Sequence, residues 1–338
     1  MSRTQRKKVF VTRELPEAAM KLLESKFDVE VWIGENPPPK SLLIEKVRKV
    51  DGCICLLTER FDEEVINAAG KQFWGISQIA VGYDNIDVEA ATRKGIYVTN
   101  TPEVLTETTA DFAFALLMAV ARRVAEADRY VKAGNWKIPW GLMMMLGQDV
   151  WGKTIGIIGL GRIGASVAKR AKGMNMRILY YDAYRNKKLE RELGVEYVEL
   201  ETLLKEADFV TIHVPLLPST RHLINEERLR MMKKTACLIN TSRGAVVDEK
   251  ALYKALSEGW IWAAGLDVWE KEPTDPSNPL LKLENVTAAP HIASASYETR
   301  TKMAIMAVEN LIATLEGRIP TNLVNKEVLR VRPLPNKT

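Results

Sequence analysis

Short apolar, β-branched runs alternate with amphipathic stretches along the whole chain. Through residue 100, the runs at 8–11, 28–33, 52–57, 74–81 and 96–100 read as strands, while 16–26, 41–47, 62–69 and 88–94 carry helical spacing. This alternation predicts a small five-stranded α/β domain, since each helix must cover a face of the sheet. Thr101 and Pro102 suit the N-cap and first turn of a further helix, which 112–131 is expected to continue up to Gly134. The stretch up to Ala121 is apolar on most sides, so it is expected to be buried.

Residues 135–153, NWKIPWGLMMMLGQDVWGK, interrupt the pattern with three tryptophans and three consecutive methionines. Two readings stand side by side: a substrate mouth or subunit contact, or apolar loop residues packed on a neighbouring element. Beyond them, strands are predicted at 154–159, 178–181, 209–214, 236–241, 263–268 and 286–289. Six strands with helices between them fit a doubly wound sheet of order 3-2-1-4-5-6 with right-handed crossovers. A last helix over 297–315 ends near Gly317, and the remaining chain is expected to return to the first domain. The expected division is therefore 1–100 with 292–338 as one discontinuous domain and 101–291 as the other.

The stretch 154–182, TIGIIGLGRIGASVAKRAKGMNMRILYYD, organises the second domain. Gly159, Gly161 and Gly164 have GxGxxG spacing directly after a strand: the first for a tight turn, the second for backbone approach to a pyrophosphate, the third for close helix packing. The phosphates would meet the helix N-terminus. Asp182 ends the next strand, where a carboxylate can accept hydrogen bonds from a ribose diol and would repel a 2′-phosphate. GxGxxG alone is also compatible with a βα turn that binds nothing; strand, helix and acid in register point to a dinucleotide. The fold class expected is thus α/β, with a Rossmann dinucleotide-binding domain beside a flavodoxin-like substrate domain.

Composition changes this picture little. The 338 residues exceed a usual single core, and 46% hydrophobic with 27% charged residues is ordinary for a globular protein. The net charge of +5 is scattered apart from Arg6, Lys7 and Lys8, which argues against a nucleic-acid surface. Neither a membrane-length apolar run nor a signal-peptide core is seen, and a cytoplasmic location is expected. Cys53, Cys55 and Cys237 lie in apolar runs and are expected to be buried thiols; no metal site is expected.

In such a sheet ligands meet the carboxyl ends of the strands. Just past the fourth, fifth and sixth strands come Arg243 in NTSRGAVVDE, Glu272 in GLDVWEKEP and His291 in APHIAS. Of the three histidines, His213 reads as a core or edge residue of a strand and His222 as part of a surface turn. His291 combines a strand end, a preceding proline and a domain crossing, so it is the candidate general acid/base. Glu272 beside it would stabilise the protonated imidazole. Arg243 offers a planar fork of donors for the carboxylate and carbonyl of a 2-oxo acid. Taken singly, a helix-cap network, a solvated loop and a turn would explain these residues; their joint placement favours chemistry. In the first domain Gly82, in AVGYDNID after the fourth strand, lets backbone N–H groups face a carboxylate, although a plain turn has the same signature.

The stretches AVGYDNIDVEAATRKGIYVTNTP, VLTETTADFA, GKTIGIIGLGRIG, NTSRGAVVDEKAL, GLDVWEKEP and PHIASA together resemble the D-isomer-specific 2-hydroxyacid dehydrogenases, most closely their archaeal glyoxylate/hydroxypyruvate reductase branch. The resemblance covers nearly the whole chain. It implies a catalytic Arg243, Glu272 and His291, and substrate carboxylate binding by the backbone of Val81 and Gly82. For NAD it adds Arg162 and Ile163 in the turn, the region of Thr109, and Asp267 at the nicotinamide amide. It further implies a homodimer formed through the dinucleotide domain. NADPH-preferring relatives carry Ser-Arg where this chain has Asp182 and Ala183, so NADH is expected, with Arg185 leaving room for NADPH. Glu103 replaces a glycine of the family pattern. Within the superfamily, formate dehydrogenases carry Gln at the place of Glu272 and phosphite dehydrogenases carry Lys at the place of Val81. D-3-phosphoglycerate and D-lactate types, and an NAD-sensing corepressor, are the alternatives.

Overall fold

A computed structural model describes residues 6–335. The chain divides into two units, residues up to Leu105 together with those from Ala295 onward, and Thr106–Ser294.

The first unit carries β1 (Lys8–Val11), β2 (Asp28–Val31), β3 (Gly52–Cys55), β4 (Gly75–Gln78) and β5 (Tyr97–Thr99). Their order is β2-β1-β3-β4-β5, every pairing parallel, which is the flavodoxin-like winding. β3 and β4 are buried along their whole length, as strands covered on both faces must be. Aspartates begin two of the connecting helices: Asp62 and Asp87 accept from the N–H groups of Val65 and Ala90. The Tyr297–Leu315 helix belongs to this unit and packs on β3 and β4; the Ser77 hydroxyl donates to Ala307 O at 2.7 Å.

The second unit carries β6 (Thr154–Ile158), β7 (Arg177–Tyr181), β8 (Glu196–Tyr197), β9 (Phe209–Ile212), β10 (Cys237–Asn240), β11 (Ala263–Leu266) and β12 (Val286–Ala288). The sheet order is β12-β11-β10-β9-β6-β7-β8, again parallel throughout. Doubly wound topology is therefore present, but with seven strands rather than six. The run at 209–212 pairs with β6 instead of lying beyond β7. The outer place is taken by Glu196–Tyr197, two residues too short to show an alternation of their own. One core cluster on this sheet gathers Leu203, Val210, Leu238, Leu252 and Leu266; the Thr106–Ala121 helix contributes Ala113, Leu117 and Val120 to another.

That helix departs from expectation at both ends. It begins at Thr106 rather than at Pro102, and Glu103 stands at φ 70 in the left-handed region. For a non-glycine residue this conformation is disfavoured by about 1 kcal/mol or more. At the other end the run to Val131 is two helices, Thr106–Ala121 and Val124–Lys132, with Arg123 left-handed between them. The Ala121 carbonyl accepts the Gln148 N–H at 2.8 Å, and the Arg123 guanidinium grips Glu126 at 2.6 and 2.7 Å. Such tertiary capture of a helix carbonyl leaves no local trace in the sequence.

Candidate active site

At the end of β6 the chain turns through Gly159, whose φ of 96 only glycine adopts easily, into the Arg162–Gly173 helix. A Cβ on Gly164 would lie 2.1 Å from Gly159 O, so the third glycine is fixed by close packing of helix on turn. Gly161, the N-cap, has no side-chain cap, and a Cβ built there meets nothing within 4 Å. Open space therefore faces an uncapped helix N-terminus, where backbone N–H groups and the helix dipole favour an anion. Arg162 begins this helix on the exposed side, and Ile163 packs against the core. Thr109 is buried on the Thr106–Ala121 helix, which is bound to the turn helix by Glu107 to Ser166 Oγ at 2.5 Å and by Arg170 to Asp111 and Glu107.

Asp182 follows β7 and accepts the Leu160 N–H at 2.8 Å, which seats its carboxylate directly beside the glycine turn. Arg185 points its guanidinium elsewhere. It forms a two-point pair with Glu190 at 2.8 and 2.9 Å, and Tyr180 Oη donates to the same carboxylate at 2.7 Å. Arg185 and Tyr180 together hold the Glu190 carboxyl down to about 2.

Arg243, Glu272 and His291 come together at the carboxyl ends of β10, β11 and β12. The His291 Nδ1 and Glu272 Oε2 lie 2.7 Å apart, and the other Glu272 oxygen accepts the Trp269 N–H at 3.0 Å. Burial alone would push the Glu272 carboxyl up; the His291 bond, the Trp269 N–H and the nearby Arg243 charge outweigh it, and the group sits below the usual carboxylate range. Arg243 is half-buried and donates from one guanidinium nitrogen to Ser242 O at 2.9 Å. The loops that carry Arg243 and Glu272 touch closely: a Cβ on Gly244 would fall 1.8 Å from the Trp269 carbonyl carbon. With Nδ1 on the carboxylate, Nε2 is the ring's other proton-carrying position.

His291 has φ 56, and its backbone is tied down by Asp267. Its N–H donates to Asp267 O at 2.7 Å, while the Asp267 carboxylate accepts from Ile292 and Ala293 N–H at 2.8 and 2.9 Å. Asp267 is fully buried; desolvation raises its carboxyl and the two N–H groups partly offset this. Sequence reading missed this tether, because its acceptor and donors are 25 and 26 residues apart. The other histidines have other partners. Burial lowers His213 to about 3, and its ring Nε2 lies 2.9 Å from the Thr211 hydroxyl; His222 lies 2.9 Å from Glu270. All three cysteines are buried free thiols, and burial pushes each of them up. Among the described residues no acidic, histidine or cysteine cluster suited to a metal ion is present, and no helix is long and apolar enough to cross a membrane.

In the first unit, Val81 and Gly82 lie in the exposed turn that follows β4, with Val81 36% exposed.

Residues 114–293 match the family described as D-isomer specific 2-hydroxyacid dehydrogenase, NAD binding domain. The chain belongs to the D-isomer-specific 2-hydroxyacid dehydrogenases. A glyoxylate reductase of Korarchaeum cryptofilum is 64% identical over 96% of this chain and 98% of its own. A Thermus thermophilus protein of known structure is 47% identical, with a TM-score of 0.88, over 94% of this chain and 99% of its own. An NADPH-dependent glyoxylate/hydroxypyruvate reductase of Sinorhizobium meliloti, solved with NADP and malonate, is 31% identical with a TM-score of 0.85, over 99% and 100% of the two chains. The dehydrogenase is thus an oxidoreductase with a nicotinamide-dinucleotide domain, and the open, uncapped glycine turn beside Asp182 fits that cofactor.

The Glu272 pairing carries a pH consequence. Because its folded value is depressed, the contribution of the pair to the dehydrogenase's stability is full above the ordinary carboxylate range and is lost as pH falls through the depressed value. Glu272→Gln replaces the carboxylate that holds His291 Nδ1, so turnover in reduction should fall by on the order of 10². Wild-type turnover would mean that Glu272 does not act on His291.

Proposed function

We propose that the enzyme reduces glyoxylate or hydroxypyruvate to the corresponding 2-hydroxy acid with NADH. The observation that carries this reading is the His291–Glu272 pair at 2.7 Å beside Arg243, in a chain 64% identical to a glyoxylate reductase. When bound, the reduced nicotinamide supplies the two electrons that reduce the carbonyl carbon. His291 gives the proton from Nε2 to the carbonyl oxygen, and in the reverse direction the neutral ring takes the hydroxyl proton. Glu272 orients the ring through Nδ1. Arg243 holds the substrate carboxylate and polarises the carbonyl, and the backbone of Val81 and Gly82 binds the carboxylate. Gly159, Gly161, Arg162, Ile163 and Gly164 hold the pyrophosphate, with Thr109 and Asp267 on the nicotinamide side.

Preference for NADH is supported by two features. Asp182 places negative charge where a 2′-phosphate would lie, and the nearby Arg185 is already engaged by Glu190. A homodimer is supported by the 135–151 stretch, where Trp140, Leu142, Met143 and Trp151 are 74%, 72%, 76% and 63% exposed. This exposure also goes against the packed-loop reading of those residues.

Steady-state assays of glyoxylate, hydroxypyruvate, pyruvate and phosphohydroxypyruvate with each cofactor should give the highest kcat/KM for one of the first two with NADH. Absence of turnover on all four would refute the reductase. His291→Ala should lower kcat by a factor on the order of 10² to 10⁴ with NADH binding retained; an unchanged kcat assigns the proton to another group. Asp182→Ser should weaken NADH and improve NADPH, and an unaltered ratio would show that Asp182 does not set the choice. Light scattering should give twice the chain mass, and Trp140→Glu should lower it; a monomer at micromolar concentration contradicts the dimer.

A further inference from the structure

The turn after β4 contains three consecutive peptide groups whose carbonyls are each held. Ala80 O accepts the Thr101 N–H at 2.8 Å, Val81 O accepts the Asn100 side-chain amide at 2.8 Å, and Gly82 O accepts Gln78 Nε2 at 3.1 Å. In a planar trans peptide each N–H points opposite to the carbonyl of the preceding residue. Holding these three carbonyls therefore directs the N–H groups of Val81, Gly82 and Tyr83 away from the groups that hold them. Among the described residues, none of those three N–H groups meets an acceptor.

Two of the three anchors are side chains, and both are themselves fixed. Gln78 is fully buried; its Oε1 accepts the Cys55 thiol at 3.0 Å, and its Nε2 also reaches Asn85 Oδ1 at 2.6 Å. Asn85 in turn donates to Leu56 O and Glu59 O at 3.1 and 2.7 Å. Asn100 is pinned through its backbone: its N–H reaches Asn322 O at 3.3 Å, and its carbonyl accepts from the Asn310 amide at 3.2 Å. Burying an amide is unfavourable unless every polar atom is satisfied. An apolar side chain at position 78 would fill the same space but lose the hold on Gly82 and Asn85.

We infer that Asn100 and Gln78 are positioning residues that set affinity for the substrate by aiming the 81–83 N–H groups at its carboxylate. Neither touches substrate; each acts through a peptide plane. This rests on the reading of the 80–83 turn as the carboxylate receptor.

The test uses the full-length enzyme with glyoxylate and NADH. Asn100→Ala and Gln78→Met should each raise KM for glyoxylate by about tenfold, while kcat and KM for NADH stay within about twofold, the signature of lost uniform substrate binding. Gln78→Glu, which keeps the shape but loses the donor to Gly82 O, should behave like Gln78→Met. A merely structural role would instead lower Tm and move kcat and both KM values together, and that result overturns the inference. Gly82→Pro removes one N–H from the receptor itself and should raise KM as well. If Gly82→Pro raises KM while Asn100→Ala and Gln78→Met do not, the receptor stands and the positioning role falls. If Gly82→Pro keeps the wild-type KM, the receptor reading fails and the inference falls with it.

Discussion

A buried carboxylate organises the reactive edge of the second sheet. Asp267 has no exposed surface, and an unpaired charge in that position would be highly unfavourable. Its two oxygens are instead taken by the Ile292 and Ala293 N–H groups, each such bond to a charged acceptor returning about 1.5–3 kcal/mol. With the His291 N–H also held by the Asp267 carbonyl, three residues after β12 lose their freedom together. That is what sustains His291 at φ 56, a conformation unfavourable by about 1 kcal/mol or more. The stretch after β11 thus fixes the histidine twice, its backbone through Asp267 and its ring through Glu272.

The rest of the arrangement follows from parallel strands. Every strand of the sheet ends on the same edge, so the loops after β6, β7, β10, β11 and β12 all open there. The glycine turn and Asp182 occupy one side of the winding, and Arg243, Glu272 and His291 the other. Gly244 lets the β10 and β11 loops meet at backbone distance, and this contact keeps Arg243 near enough to draw the Glu272 carboxyl down. Charge is used in the same way at the far end of the nucleotide turn. Glu190 engages Arg185 at two points, which holds that guanidinium on Glu190.

Features with a local cause could be read from the sequence. The glycine spacing of 159–164 and the acid ending β7 need only a strand, a turn and a helix in series. His291 emerged because few histidines exist and this one follows a strand. Features set by distant partners could not be read. The order of the sheet was misjudged at its edge, since Glu196–Tyr197 is too short to announce itself. The break at Arg123 depends on Gln148 capturing the Ala121 carbonyl. Glu103 takes a left-handed backbone, which no propensity would assign to a glutamate. Nor could spacing show that Asp267 spends both oxygens on the backbone beyond His291.

The central claim is that His291 and Glu272 act as one acid–base unit on a 2-oxo acid, and the most direct measurement is a double-mutant cycle. The quantity to compare is kcat/KM for NADH-dependent glyoxylate reduction by wild type, H291A, E272Q and the double variant. If the pair is one unit, the double variant is no worse than H291A alone, because Glu272 has nothing left to act on. Losses that multiply would contradict the account, since they would mean that the two residues serve the reaction independently.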